Sequence, residues 1–294
     1  MSSTLRLALA QVPPQTGAPG PNLRTLDRLA AAASAAGADV LILPEMFLTG
    51  YVLGRAQTRA LAEPSDGPSA QQVAAIAHKH DVAIIYGYPE QETTGRVFNA
   101  VAFIAPDGQR ILNYRKLHYF GDVDAEQFDP PPLPAPAAES TTPELGEDAG
   151  EALPVVSWRG WRLGVAVCYD IEFPETARAL AVKGADLICV PTANMENFDH
   201  VQQLLLPARA LENQVYLAYA NYCGQDSRFR YGGLSCLVGP DGAMVKSADR
   251  AEELVIGEVH RETLESSREQ NPYLRDRRFD LVARADAPDW RTRT

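Results

Sequence analysis

The chain has 294 residues, a formal net charge of −11 and a pI near 5.0. Hydrophobic residues make up 46% of it and charged residues 22%, the balance of a globular protein that needs no disulfides. Such acidity argues against nucleic-acid and anionic-membrane partners, which bind basic surfaces. The four cysteines show no metal-type spacing, and no apolar run approaches the ~18 residues of a membrane span. We therefore expect a cytoplasmic protein with reduced thiols.

Strand and helix patterns alternate along the chain, as is typical of an α/β fold. In chain order we predict strand Leu5–Val12, helix Asn22–Ala36, strand Val40–Leu43, helix Ser69–His80, strands Val82–Tyr88, Val97–Ala105, Arg110–Tyr114 and Leu163–Val167, helix Glu175–Val182 and strand Leu187–Val190.

Two motifs recur in the same order in both halves. The pattern G-A-D-x-x-x-x-P occurs at Gly37–Pro44 and again at Gly184–Pro191, and the turn Pro-Asp-Gly occurs at 106–108 and 240–242. Chance recurrence of common turns is the alternative. We interpret the repeat as two similar α/β halves that bury one sheet face against the other, with helices outside. This predicts a four-layer α-β-β-α sandwich with internal pseudo-symmetry.

A single domain is predicted over residues 1–260. Residues 129–154 are rich in Pro and Ala and lack periodicity, which indicates an insertion loop at the junction of the halves. Residues 261–294 are rich in charged residues, and we expect a tail at the surface or at a subunit interface.

Three residues are candidates for catalysis. Cys168 ends an apolar strand just before a turn and a helix, where α/β enzymes expose reactive groups. Glu45 follows a buried strand, and desolvation there would raise its pKa toward that of a general base. Lys116 follows another strand, and an ammonium beside a thiol favours the thiolate. Taken singly, each has a common alternative: a buried structural thiol, a helix-capping carboxylate and a solvated lysine.

Other chemistries fit less well. The five histidines are scattered, which argues against a metal site, although His118 stays open as a partner for the thiol. No Walker loop or G-x-G-x-x-G motif is present, so we expect no nucleotide cofactor and no metal.

Around these residues the sequence resembles the nitrilase superfamily of carbon–nitrogen hydrolases. The matching stretches are Leu43–Tyr51, Tyr114–His118, Cys168–Glu175 and Pro207–Gln214. The resemblance implies an α-β-β-α sandwich, no cofactor, and a homodimer or larger homo-oligomer. It also implies that Glu45 takes the thiol proton, Cys168 attacks the carbonyl carbon, and Lys116 with the backbone N–H of Tyr169 holds the oxyanion until water releases the thioester.

Many members of that family carry a second Glu after the lysine, which orients the substrate amide. Here the spacing puts Asp124 near that position, and Glu126 is the nearest Glu, so both are candidates for substrate binding. Further pocket candidates follow the strand ends that carry the catalytic residues: Tyr51, Tyr169, Ala193, Asn194 and Phe198.

The turn after Cys168 resembles the amidase-type branches of the family. We therefore predict hydrolysis of a small-molecule carboxylic amide to an acid and ammonia through a thioester. An N-carbamoyl amino acid hydrolase or a nitrilase is the alternative within the family. A catalytically silent binding protein on the same fold is the alternative from another class, and an amidotransferase subunit would need an ammonia-consuming partner.

Overall fold

The computed structural model describes residues 3–131 and 153–278. Within these ranges the secondary structure is, in chain order, β1 Thr4–Gln11, α1 Pro19–Ala35, β2 Val40–Ile42, α2 Arg55–Leu61, α3 Pro68–His80, β3 Ala83–Gln91, β4 Val97–Ile104, β5 Arg110–Arg115, α4 Gly121–Gln127, β6 Val155–Trp158, β7 Trp161–Val165, a 3₁₀ turn Cys168–Glu172, α5 Pro174–Val182, β8 Leu187–Thr192, a π-helical turn Val201–Leu205, α6 Leu206–Asn213, β9 Tyr216–Asn221, β10 Cys236–Val238, β11 Met244–Ser247, β12 Glu253–His260, α7 Arg261–Gln270 and α8 Tyr273–Asp276. None of the helices in these ranges is long and apolar enough to cross a bilayer.

The strands form two six-stranded mixed sheets. The first has the order β12-β1-β2-β3-β4-β5 and the second the order β6-β7-β8-β9-β10-β11. Strands β1 to β3 are parallel, as are β7 to β9, and the outer strands of each sheet are antiparallel to their neighbours. The parallel strands are buried on both faces, which explains their continuous apolar sequences.

The two halves follow one plan, as the repeated motifs predict. In each sheet three parallel strands lead into an antiparallel pair, and a Pro-Asp-Gly turn joins that pair at residues 106–108 and 240–242. Strand β2 therefore corresponds to β8, and β1 corresponds to β7. Each sheet gains its sixth strand at the edge beside β1 or β7, from β12 and β6 respectively. The predicted α-β-β-α sandwich with internal pseudo-symmetry is confirmed.

Side chains alternate between the two faces of each strand. On β1, Leu7 and Leu9 pack in the core between the sheets, whereas Ala8 and Ala10 pack beneath the outer helices of the first half. On β7, Gly164 lies under Leu180 of α5, and a Cβ at this glycine would come within 2.9 Å of that leucine. The helices are thereby seated directly on their sheets.

The predicted domain ends at residue 260, and helix α7 follows it directly from Arg261. Helix α7, which belongs to the predicted tail, packs on the second half, because Arg261 and Arg268 both donate to the buried carboxylate of Asp186. The predicted insertion 129–154 lies mostly outside the described residues, as does the tail after residue 278.

Candidate active site

Glu45 lies in the turn after β2, and its side chain is fully buried. Its backbone N–H donates to the carbonyl of Thr192 at the end of β8, with an N···O distance of 3.3 Å, so the turn is tied to the opposite sheet. On the other side β3 comes so close that a Cβ at Gly87 would lie 2.2 Å from the backbone nitrogen of Met46. Contacts from both sheets therefore hold this turn in place.

Lys116 joins two carboxylates in the interior. Its fully buried ammonium donates to Glu45 Oε1 at 2.8 Å and to Asp124 Oδ2 at 2.7 Å. The side-chain amide of Asn99 on β4 donates to the same oxygen of Glu45 at 2.6 Å. Glu45 Oε2 has no hydrogen-bond partner among the described residues, so this oxygen can accept a proton.

Asp124, rather than Glu126, lies beside the lysine. Its second oxygen, Oδ1, accepts from the Tyr51 hydroxyl at 2.9 Å, and Oδ2 also accepts from the backbone N–H of Phe120 at 2.8 Å. Glu126 is two residues further along α4, which turns it to the exposed side of that helix. Of the two candidates, the structure therefore brings Asp124 to the lysine and places Glu126 on the surface, and the Tyr51 hydroxyl holds Asp124 from within the site.

Cys168 opens the 3₁₀ turn instead of ending the strand, since β7 stops at Val165. Its φ of 46° is in the left-handed region, which non-glycine residues rarely adopt and which often marks functional turns. The residue is partly exposed, and its thiol is hydrogen-bonded by the Thr192 hydroxyl and the Ala193 backbone. The backbone N–H groups that begin such a turn have no partner within it, so they can donate hydrogen bonds to an oxyanion that forms on the substrate.

The charges of this cluster favour proton transfer between the thiol and Glu45. Burial raises the pKa of the Glu45 carboxyl and outweighs the opposing charge of Lys116. Burial also raises the pKa of the Cys168 thiol, and the Glu45 charge adds to this effect. Burial alone would lower the pKa of Lys116, but the charges of Asp124 and Glu45 hold it well above its usual value. The resting thiol is therefore neutral and needs a base, whereas the lysine stays cationic.

A third buried carboxylate, Asp170, joins the lysine segment to the nucleophile turn. It accepts from the Tyr114 hydroxyl at 2.9 Å and from the backbone N–H of His118 at 2.8 Å. It also accepts from the backbone N–H of Val167 at 3.0 Å, and its Oδ1 lies 2.9 Å from Nδ1 of His118. The His118 ring is thereby engaged with Asp170, which does not support the open alternative of a thiol–histidine pair.

Aromatic rings from three segments surround the turn that carries Cys168. Phe120 packs edge-on against Tyr169, with centroids 5.4 Å apart, and against Phe198 at 5.9 Å. Tyr169 packs edge-on against Phe173 at 4.9 Å. All four rings are partly exposed. We call these residues the aromatic rim: Phe120, Tyr169, Phe173 and Phe198.

The remaining pocket candidates follow β8. Ala193 is buried beside the Cys168 thiol. Asn194 is also buried, and its amide donates to the Phe198 carbonyl at 3.3 Å and to Gln202 at 3.2 Å. Asn194 therefore holds the segment that carries Phe198.

Sequence reasoning did not identify Asn99, Asp170 or Thr192 as members of the site. Asn99 could have been noticed as a polar residue within the apolar run of β4, because a buried amide requires partners. Asp170 stands within a stretch that resembles the family but carries no sign of its partners. Within the described residues, no group of three or more His, Cys, Asp or Glu side chains is placed to hold a metal ion.

The fold and this cluster define a class of four-layer sandwich proteins in which a thiol, a carboxylate and an ammonium meet where the two sheets abut. The profile of the carbon–nitrogen hydrolase family matches residues 6–269. The chain therefore belongs to the carbon–nitrogen hydrolase family, which confirms the predicted membership.

Individual relatives agree with this assignment. A hydrolase in the pqqF 5' region of Pseudomonas protegens is 48% identical over 95% of this chain and 90% of its own length. The (R)-stereoselective amidase of a Pseudomonas species is 34% identical over 98% and 97%. The crystal structure of an amidase from Nesterenkonia superposes with a TM-score of 0.78 at 30% identity over 97% of both chains. In a variant of that amidase the acetamide moiety of fluoroacetamide is covalently added at the active-site cysteine.

Proposed function

We propose that this protein is a cysteine-dependent amidase that converts a small-molecule carboxylic amide to an acid and ammonia. The observation that carries the proposal is the buried contact of Lys116 with Glu45 and Asp124, placed beside a neutral thiol on a left-handed turn. A thiol in this state requires a base, and Glu45 has an oxygen free to act as one. The cysteine adduct in the Nesterenkonia amidase supports the same chemistry.

In the first half-reaction Glu45 accepts the proton of Cys168 as the sulfur attacks the amide carbon. The resulting oxyanion is stabilised by the Lys116 ammonium and the backbone N–H of Tyr169. Protonated Glu45 then donates its proton to the amide nitrogen, the C–N bond breaks, ammonia leaves and a thioester remains. In the second half-reaction Glu45 deprotonates water, which attacks the thioester. The acid leaves and the proton returns to the sulfur.

Ammonia release tests this assignment. We would compare the wild type with Cys168→Ala on primary amides, nitriles and N-carbamoyl amino acids, with Cys223→Ala as the matched removal of another thiol. Release from amides that Cys168→Ala abolishes and Cys223→Ala retains is the expected result. Preferred release from N-carbamoyl amino acids or nitriles would move the protein to one of the other branches. Activity that survives in Cys168→Ala would contradict the mechanism, and silence on every substrate would favour a binding role.

We also propose that the chain forms a homodimer or larger homo-oligomer. Among the described residues, α5, the π-helical turn and α6 expose the large apolar side chains Val182, Leu204 and Leu211, which are 48%, 66% and 37% exposed. Pairing of this face with a second copy would remove them from water. Leu204→Asp should lower the molar mass seen by light scattering, and an unchanged mass would argue against this face.

We also propose that the protein is cytoplasmic. All four cysteines are free thiols in the structure. Free thiols persist in reducing compartments, whereas oxidising compartments favour disulfides. Fractionation of cells that express the tagged chain tests this point, and recovery from an oxidising compartment would contradict it.

A further inference from the structure

The mechanism leaves one carboxylate near the nucleophile without a role. Glu172 ends the 3₁₀ turn that Cys168 begins, which puts the two residues about 8 Å apart along the axis of the turn. The residue is partly buried, and burial raises the pKa of its carboxyl. Its side chain has neither a hydrogen bond nor an ion pair with any other residue in the described ranges. Neither oxygen of Glu172 is among the fully buried atoms that lack a partner, so both oxygens remain accessible and the carboxylate can accept a cationic partner.

Two of the three cations around Glu172, Lys116 and Arg209, are already engaged by other groups, and the third is an exposed histidine. The charges of His200, Lys116 and Arg209 oppose the effect of burial on the Glu172 carboxyl but do not outweigh it. Lys116 is held by two carboxylates, and Arg209 donates to the backbone carbonyls of Ile171 and Glu172. His200 is exposed beside Phe198. The Glu172 carboxylate therefore retains capacity for a positive charge from outside the chain.

The aromatic rim supplies a second feature that attracts cations. Tyr169 and Phe173 belong to the same short segment as Glu172, and Phe120 and Phe198 extend the ring surface beyond them. The faces of aromatic rings attract ammonium groups, most strongly where water is partly excluded. A carboxylate close to aromatic rings is a common way to recognise an organic cation, whereas an anionic group would meet like charge.

We propose that Glu172 and the aromatic rim form the acyl-group subsite, and that this subsite selects amides whose acyl group carries a cationic nitrogen, such as amides of amino acids. This inference rests on the proposed amidase function and adds its substrate class. The amide carbon lies at the Cys168 sulfur, and the ammonium of the acyl group pairs with Glu172.

Isosteric substrate pairs test the proposal. Alaninamide differs from 2-methylpropanamide, and 4-aminobutanamide from pentanamide, chiefly by an ammonium in place of a methyl group, and the two pairs place the charge at different distances from the carbonyl. Ammonia release by the wild type should favour the cationic member of at least one pair by about tenfold to a hundredfold in kcat/KM, the range of a hydrogen bond between charged groups. Glu172→Gln should bring that ratio to about one, because a side-chain amide carries no charge to pair with the ammonium.

Glu175→Gln is the matched control, because it removes a nearby carboxylate that is exposed at the start of α5. It should keep the wild-type preference, and thermal melting should show that both variants are folded. Equal or better turnover of both neutral amides, abolished by Cys168→Ala, would overturn the subsite and leave the amidase function intact. Absence of ammonia release from every amide would overturn both.

Discussion

At the scale of single residues, the ionisation of Glu45 should set the acid limit of activity. The base must be deprotonated to accept the thiol proton, and burial raises its pKa above the usual value of about 4.3. As the pH falls through this raised pKa, kcat/KM should fall with it, at a higher pH than for an exposed glutamate. The pH profile of ammonia release over the acid range measures this limit.

Glu45→Gln should remove the acid limit and lower kcat by about a hundredfold to ten-thousandfold, because general base catalysis is lost while the shape is kept. Glu90→Gln is unsuitable as a comparison, because Glu90 pairs with Arg115 close to the lysine. Glu126→Gln is the better control, since that carboxylate is exposed on α4, and it should leave the profile unchanged. An acid limit that persists in Glu45→Gln would mean that another group is the base.

Asp170 should act as a positioning residue for the nucleophile. It holds the start of the Cys168 turn through Val167 and holds the lysine segment through Tyr114 and His118. In Asp170→Asn one of these donors would face an amide N–H, and the turn would shift relative to Lys116. Because small displacements of reacting groups cost much of the rate, we expect kcat to fall by about tenfold to a hundredfold with little change in KM.

The reactivity of the Cys168 thiol distinguishes a positioning role of Asp170 from a general loss of stability in Asp170→Asn. The rate of alkylation of Cys168 by a haloacetamide, followed by mass spectrometry across pH, should show a displaced profile because the thiol no longer sits at the same distance from Glu45 and Lys116. An unchanged profile together with an unchanged kcat would show that Asp170 is only a structural group.

At the scale of elements, the turn after β2 depends on the close approach of β3. Gly87 of β3 packs against the backbone of Met46 and Glu45, where a Cβ would come within 2.2 Å and 2.9 Å of backbone atoms. Backbone cannot swing aside as a flexible side chain can, so Gly87→Ala should lower the free energy of unfolding by about 1–3 kcal/mol. It should also lower kcat, since Glu45 moves with the turn. Chemical denaturation and steady-state kinetics measure the two effects.

Gly20→Ala is the matched substitution in an open place. Gly20 is in helix α1, and the nearest atom to an added Cβ is the flexible Arg24 guanidinium at 3.8 Å. Alanine suits a helix better than glycine, whereas Pro21 disfavours a Cβ on the helical residue before it, so the stability of this variant should stay within about 1 kcal/mol of the wild type, with unchanged kcat. Equal losses in both variants would show that the close approach of β3 is not the cause.

The strands and helices around the site were largely predictable from the sequence, because each has a characteristic local pattern of apolar and turn residues. Apolar runs predicted β2 and β8, the repeated motifs predicted that they correspond, and family resemblance singled out Glu45, Lys116 and Cys168. The sequence did not predict the 3₁₀ turn, since its conformation depends on the Asp170 carboxylate accepting from Val167. Asn99 was missed for a related reason: its partner Glu45 is 54 residues away, and pairings over such a distance leave no local pattern.

At the scale of the whole molecule, the site exists because the two halves meet. Glu45 and Lys116 come from the first sheet, whereas Cys168 and Thr192 come from the second. The link is reinforced at the opposite end of the chain, where β12 leaves the second half and pairs with β1 of the first. Helix α7 then returns to the second half. C-terminal to the catalytic residues, the chain thus crosses from the second half to the first and back again.

Asp186 anchors helix α7 to the second half of the molecule. Its carboxylate, 6% exposed, accepts from Arg261 at 2.8 Å and from Arg268 at 2.9 Å, and it also accepts from the backbone N–H of Arg162 at 3.1 Å. Asp186→Asn leaves two partly buried guanidinium groups without their counter-charge, which should cost about 2–3 kcal/mol. For a chain of this size that loss corresponds to a fall in Tm of roughly 5–10 °C.

Because Asp186 lies away from the cluster of Glu45, Lys116 and Cys168, Asp186→Asn should keep kcat and the alkylation profile of the wild type at temperatures where it is folded. It is therefore the matched control for Asp170→Asn, since both remove the charge of a buried aspartate that joins distant segments. If both variants lost the same share of kcat at the same loss of Tm, the effect of Asp170 would be one of stability. If only Asp170→Asn loses kcat, then Asp186 stabilises the packing of α7 on the sandwich, whereas Asp170 positions the thiol at the 3₁₀ turn.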